Sequence, residues 1–478
     1  MMTPQQFKSP GSGRLCTFAG ACATALCIFI GACSSWSPGT QKVPDVVLPT
    51  AWSTTLSGDG AVSTVAPTSL VQWWQRFNDP LLTTLVTNAL HANTTVRSAQ
   101  AALQQSRALR DAQSAGLLPG VSASGSAQRG RSGGNDASNS FKAGLDASWE
   151  PDVFGGKHSA LNAAEADAQA AQASLSDIQV SVAAEVALAY IQLRGQQAQL
   201  MIARNNLQSQ LETQQITDWR AQAGLITSLE VEQARTASEQ TSAQIPTLQA
   251  SIEKTSHSLA VLTGQAPASL KALLKEPIAI PQAAENLALD IPAQTLRQRP
   301  DVRAAELRVQ SALQHVSAAD AARYPGLSIS GSIGLNALTL GAVTNGASLA
   351  SALLGSVSVP LFDGGAARAQ VRAQEAALEQ ARSSYQSVVL TALKDVEDAL
   401  VSLAGDRTRL THLKGAAAAA DNAALLAQNR FSSGLIDFQT VLQTQRTLLT
   451  TQDSVASATA DISTDHVRLY KALGGGWN

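Results

Sequence analysis

Val359-Pro360-Leu361-Phe362-Asp363-Gly364-Gly365 opens the stretch that decides the fold. From Gly365 to about Asp453 the chain carries almost no Gly or Pro, apart from a break at Arg430-Phe431-Ser432-Ser433-Gly434-Leu435-Ile436. A near copy lies earlier. Val153-Phe154-Gly155-Gly156 leads into a long helical run that breaks at Arg220-Ala221-Gln222-Ala223-Gly224-Leu225-Ile226. A helix–tip–helix hairpin that occurs twice in one chain calls for a repeat reading before any other.

Working outward, the copies keep a nearly constant offset. Val96-Arg97 returns 206 positions later as Val302-Arg303, and Pro119-Gly120 returns at the same spacing as Pro325-Gly326. Arg220 returns 210 positions later as Arg430, and Gly224-Leu225-Ile226 as Gly434-Leu435-Ile436. So small a drift argues for duplication. The first repeat, 71–262, reads as helix, β-hairpin 121–150, long helix 157–219, tip 220–227 and helix 228–262. The second, 293–473, reads as helix 300–323, β-hairpin 327–362, long helix 365–430, tip 431–436 and helix 437–473. Between them, 263–292 holds Pro267, Pro277, Pro281 and Pro292 and reads as irregular; 474–478 is a tail.

The first long run places Leu161, Ala164, Ala168, Ala171, Leu175, Ile178, Val182 and Val186 at steps of three and four. That is a coiled-coil seam, and its alanines let helix axes approach closely. About 60 residues at 1.5 Å each give a rod of roughly 90 Å, against about 11–12 residues for an ordinary globular helix. The shorter helices before the strands and after each tip, placed end to end, match that rod. This is the layout of a tubular wall of paired antiparallel helices.

The strands alternate. Val121, Ala123, Gly125, Ala127, Phe141, Ala143, Leu145, Ala147 and Trp149 set an apolar face against serines, Lys142 and Asp146. Leu327, Ile329, Ile333 and Leu335 oppose Ser328, Ser330 and Ser332, and the partner strand carries Gly355, Val357, Val359 and Leu361 against Ser356 and Ser358. A transmembrane barrel needs at least eight strands and no open edge in lipid. Four strands per chain therefore require several chains to share one barrel, with Trp149 and Phe141 near its interfacial girdles. Four strands of a soluble sandwich are the alternative.

The 478 residues carry a formal net charge of −2 with 15% charged residues, so no basic excess points to nucleic acid. All four cysteines, Cys16, Cys22, Cys27 and Cys33, lie near the N-terminus, which leaves the rest without a disulfide framework or thiolate metal site. The six histidines form no ligand cluster. Residues 1–32 read as an export signal, with Lys8 and Arg14 before an apolar run that ends Ile30-Gly31-Ala32-Cys33. Small residues before Cys33 resemble a lipobox, so Cys33 is expected to become the first mature residue and to carry diacylglycerol and acyl chains. An ordinary cleavable signal is the alternative. Residues 33–70 then form an extended arm rich in Pro, Ser, Thr and Gly. No catalytic constellation occurs. Gly155-Gly156-Lys157-His158-Ser159 reads as a strand-to-helix turn, since Pro151 stands where a phosphate loop has its first Gly.

WWQRFNDPLL (73–82), SWEPDVFGG (148–156), AYIQLRGQQAQL (189–200), LAVLTGQAP (259–267), RPDVRAAE (299–306) and PLFDGG (360–365) together resemble the outer membrane factor family, the TolC-like superfamily. The likeness is greatest to its OprM/NodT-type efflux lipoproteins. It implies a mixed α/β membrane protein: a homotrimer with a 12-stranded transmembrane β-barrel, four strands per chain, continued by a long periplasmic α-helical barrel. It further implies an outer-membrane location and no cofactor beyond the lipid on Cys33. The implied role is passive exit duct of a tripartite efflux system for drugs or other small molecules. Its partners would be a periplasmic membrane-fusion adaptor and an inner-membrane pump, commonly of the resistance-nodulation-division type. Type I protein secretion through the same kind of duct is the alternative.

Arg220, Gly224, Leu225, Arg430, Gly434 and Leu435 match the family's tips, where the adaptor docks. The resemblance also implies a periplasmic gate just past the second tip, often ringed by Asp. Thr440 and Gln443 stand at those positions, a departure from the pattern. Glu230 and Asp437 are the nearby carboxylates. Asp437 either joins such a ring or caps the helix that starts beside it.

Overall fold

The computed structural model describes Trp52, residues 71–131, Gly133, residues 136–283 and residues 293–475. The leader 1–32, Cys33, the arm 33–70 apart from Trp52, residues 284–292 and residues 476–478 lie outside the described residues.

The elements run α1 (Pro80–Ala92), α2 (Thr94–Ala115), β1 (Gly120–Gly130), β2 (Ser138–Trp149), α3 (Gly156–Gln222) and α4 (Ser228–Leu262). The second repeat gives α5 (Pro300–Ala321), β3 (Gly326–Ala337), β4 (Leu349–Ser358), α6 (Ala366–Ser432) and α7 (Phe438–Ala472). Equivalent helices have equal lengths: 22 residues for α2 and α5, 67 for α3 and α6, 35 for α4 and α7. At 1.5 Å per residue the long helices each span about 100 Å. The drift between the copies has one source. β1 ends at Gly130 and β2 starts at Ser138, while β3 ends at Ala337 and β4 starts at Leu349, so the second hairpin carries the extra residues between its strands.

Local chemistry sets the helix ends. Asp79 caps α1 by accepting from the Leu81 and Leu82 amides, with Pro80 as first helical residue. Asp152 accepts the His158 amide at the head of α3, and Asp363 accepts the Gly365 and Ala367 amides at the head of α6. Residues 155–159 are thus a capped helix start. The fourth strand ends at Ser358, short of the Leu361 that alternation suggests; Pro360 has no amide to continue the ladder, and Leu361 and Phe362 are exposed.

Sheet order is β1-β2-β3-β4, antiparallel throughout. The register joins Val121, Ala147, Gly331 and Leu353 in one row and Ala123, Leu145, Ile333 and Ser351 in another. The opposite face holds Ser122, Asp146 and Ser332, with Ser124 donating to the Asp146 carboxylate and Ser328 and Ser356 hydroxyls 2.6 Å apart. One face is therefore greasy and the other hydroxyl-lined. Phe141 and Trp149 lie on the greasy face eight residues apart, roughly 27 Å along the strand, close to the roughly 25 Å apolar band of a membrane barrel. At the helix-side end Trp149 donates to the Leu117 carbonyl, and Phe154 stacks on Tyr324 at 5.1 Å. Where the repeats meet, Gly144 pairs with Gly334, and a Cβ on Gly144 would sit 2.9 Å from the Ile333 carbonyl oxygen. Only glycine permits that approach.

Among the described helices, α3 packs along α2, α4, α5 and α7, and α6 packs along α5 and α7. The wall therefore reads α2/α4, α3, α5/α7, α6, the same order as the strands. The main core lies where α1 meets α3. Trp73 stacks on Tyr470 at 5.4 Å, and Trp74, Phe77, Leu82, Leu85, Ile191 and Leu193 fill in around it. The buried Tyr190 hydroxyl donates to Asp79 at 2.7 Å. Arg194, one turn on and fully buried, stacks on the Tyr190 ring and donates to the Glu276 carbonyl. Gln197 donates to the Leu274 carbonyl, so this face of α3 holds the segment that follows α4. Arg299 grips Asp301 through two nitrogens and donates to the Ala472 carbonyl, tying the start of α5 to the end of α7.

Candidate functional site at the hairpin tips

Both tips are built by the same backbone device. In the first, the Leu225 amide donates to the Arg220 carbonyl at 2.9 Å and the Gly224 amide to the Ala221 carbonyl at 2.9 Å. In the second, Leu435 donates to Arg430 and Gly434 to Phe431 at the same distances. This is the Schellman closure, which needs a left-handed residue past the helix end. Gly224 at φ +70° and Gly434 at φ +76° supply it. The closure throws Leu225 and Leu435 outward, 73% and 74% exposed. Arg220 and Arg430 lie one turn earlier, inside the last helical turns and not in the reversal itself.

The helices that leave the tips start with mirrored caps. At α4, Thr227 caps and Glu230 reaches back to the Thr227 amide and hydroxyl. At α7, Asp437 caps, accepting from the Thr440 amide and hydroxyl at 2.8 Å each. The acid and the hydroxyl have exchanged places between the repeats. The Thr227 hydroxyl holds the Glu230 carboxyl below the usual range, and the Thr440 amide, then its hydroxyl, does the same for Asp437. Thr440 and Gln443 are exposed one and two turns along α7.

The two arginines are used differently. The Arg220 guanidinium crosses to the second tip, donating to the Phe431 and Ser432 carbonyls at 2.5 and 2.9 Å, and sits 4.3 Å over the Phe431 ring. Phe431 packs against Phe438 above Ala234, Ala237, Val441 and Leu442, a small core shared by both hairpins. Arg430 is exposed. The sequence shows the two arginines as equivalents; it does not show that the first is occupied by the other tip. Phe431 and Phe438, seven residues apart across the reversal, were the available signal for a shared apolar seat.

Each candidate thus has a place. Leu225, Leu435 and Arg430 face outward, Gly224 and Gly434 shape the reversals, Arg220 braces one tip to the other, Glu230 and Asp437 serve the helix caps, Thr440 donates to Asp437, and Gln443 is exposed one turn further on. Among the described residues no cluster of His, Cys, Asp and Glu could hold a metal ion.

Residues 85–265 and 291–475 match the family model described as outer membrane efflux protein. The pyoverdine export outer membrane protein OpmQ of Pseudomonas aeruginosa is 30% identical over 428 residues, covering 85% of this chain and 87% of that protein. The solvent efflux pump outer membrane protein SrpC of Pseudomonas putida is 30% identical over 458 residues, covering 92% and 96%. Among solved structures, the outer-membrane channel OprN superposes with a TM-score of 0.82 at 34% identity, covering 91% of this chain and 99% of that one.

Proposed function

The chain belongs to the outer membrane efflux protein family, and on that premise we propose that it is the exit duct of a tripartite efflux system. It is an outer-membrane efflux channel and not an enzyme.

One observation carries the reading. The sheet has an apolar and a hydroxyl-lined face, and its outer strands β1 and β4 have unpaired edges within one chain. An unpaired edge is untenable in hydrocarbon, because each orphaned amide or carbonyl costs several kcal/mol. Copies of the chain must therefore close it. Three copies give twelve strands, with the serines lining the bore. The same closure sets α6 of one copy against α2/α4 of the next and continues the bore down the helices. Relatives named for pyoverdine export and solvent efflux favour small molecules over proteins as cargo.

The duct itself is passive, with energy supplied by an inner-membrane pump of the resistance-nodulation-division type. A periplasmic adaptor docks on the tips, where Leu225 and Leu435 offer apolar contacts and Arg430 a carboxylate-binding fork. Arg220 acts from within, holding the surface those residues share. Opening requires the tips to part, which breaks the Arg220 brace. Glu230 and Asp437 leave ionised, exposed carboxylates beside the mouth, repeated in each copy, with Thr440 and Gln443 behind them. Cys33 carries the lipid that adds an anchor to the barrel.

The test is reconstitution. Purified full-length protein in planar bilayers should conduct as a closed-prone pore, and deleting its gene should sensitise cells to small toxic compounds. Loss of a secreted protein without drug sensitivity would favour the secretion reading; no conductance at all would overturn both. For the anchor, a radioactive fatty acid should label wild type and not Cys33→Ser. Equal labelling of the two would contradict it.

A further inference from the structure

The two repeats differ at one buried position in a way their shared backbone does not require. In the first, Thr255 of α4 donates its hydroxyl to Gln196 of α3 at 3.0 Å, a neutral hydrogen bond. The positions 210 residues later are Asp465 of α7 and Asp406 of α6. Asp465 is 1% exposed. One of its oxygens accepts from Arg468 at 3.3 Å; the other is buried without a partner. Two ionised carboxylates cannot hydrogen-bond each other, so the orphan oxygen is satisfied only when the pair holds a proton.

We propose that buried Asp465 keeps a proton, held toward Asp406 across the α6–α7 seam, and that this makes the second helix pair, unlike the first, loosen when the proton leaves. Every charged group around the seam bears on this. On α6, Arg407 lies 3.5 Å from His466 Nε2, while Arg409 is 3.5 Å from Asp406 and 3.3 Å from Asp461. On α7, Arg468 faces Asp465, and His466 donates through Nδ1 to the Ile462 carbonyl. From α3, Asp177 is set among Asp301, Arg299, Lys471 and Arg308. From the segment after α4, the Pro281 carbonyl takes the Ser463 hydroxyl and brings no charge. Burial, then the Asp406 carboxyl, pushes Asp465 up to about 6, with Arg468 opposing. Because its folded value lies above the unfolded one, the stabilising share is complete below about pH 4 and is lost as pH rises through about 6. The pair sits 28 residues up α7 from its Asp437 cap, roughly 40 Å along the helix. Freeing α7 there gives its tip a long lever.

Hydrogen exchange on the full-length protein, corrected for the intrinsic pH dependence, tests this. Amides at 400–412 and 458–470 should exchange about tenfold faster at pH 7.5 than at pH 5, relative to 190–202 and 248–260, one pKa unit's worth of coupling. Asp465→Asn and the double change Asp406→Gln with Asp465→Thr, which copies the first repeat, should be flat. Infrared difference spectra between the two pH values should show a protonated carboxyl band in wild type that Asp465→Asn lacks. An equal pH response in both repeats, or a response and band that survive Asp465→Asn, would overturn the proposal.

Discussion

Single residues decide where the rods turn back. Gly224 and Gly434 have nothing within 4 Å of an added Cβ, so substituting them meets no clash and costs only the left-handed backbone. Gly434→Ala should therefore destabilise the second tip by about 1–2 kcal/mol, read as faster limited proteolysis there with the rest of the chain unchanged. The caps beside them are pH-sensitive in the acid direction. The amide and hydroxyl bonds of Thr440 to Asp437, and of Thr227 to Glu230, depress both carboxyls. Their stabilisation is present above the unfolded values and is lost as pH falls through the folded ones, below about pH 4. Hydrogen exchange at 438–442, corrected for the intrinsic pH dependence, should rise as pH falls from 6 to 3 in wild type and stay flat in Asp437→Asn, since Asn caps without a charge. The tip glycines could be read from the sequence, because a Gly that closes a long helix has one common use. The alternatives for Asp437 could not be separated there: a cap is a matter of which amides a carboxylate reaches.

At the scale of elements, the two faces of each hairpin and the two long rods follow from period alone. Alternation gives the greasy and hydroxyl faces, and a seam at steps of three and four gives rods. What period cannot give is the contact between tips. Arg220 and Phe431 are 211 residues apart, and the repeat suggests equal roles for Arg220 and Arg430 that the structure separates. The meeting of Asp406 with the buried Asp465 is hidden for the same reason, since each lies on a different helix in an unremarkable run. The Arg220 brace combines two carbonyl bonds with a ring contact, a geometry a Lys point charge cannot reproduce. Arg220→Ala should raise the open fraction of single channels in bilayers, and Arg220→Lys should recover only part of the closure. Unchanged gating in Arg220→Ala would mean that the tips are held shut by something else.

At the scale of the whole molecule, sheet and helices share one lateral order and leave matching edges, β1 with α2/α4 on one side and β4 with α6 on the other. Much of this was legible in the sequence, because a duplicated unit with too few strands for a barrel and helices too long for a globule admits few assemblies. The number of copies is the step that sequence and single-chain geometry share least: strand count sets a minimum, and the resemblance selects three. Electron microscopy of full-length protein extracted from outer membranes in mild detergent tests that step directly. The particles should be hollow, with threefold symmetry in end view and twelve strands in the barrel. Single chains, or particles with another symmetry, would contradict it.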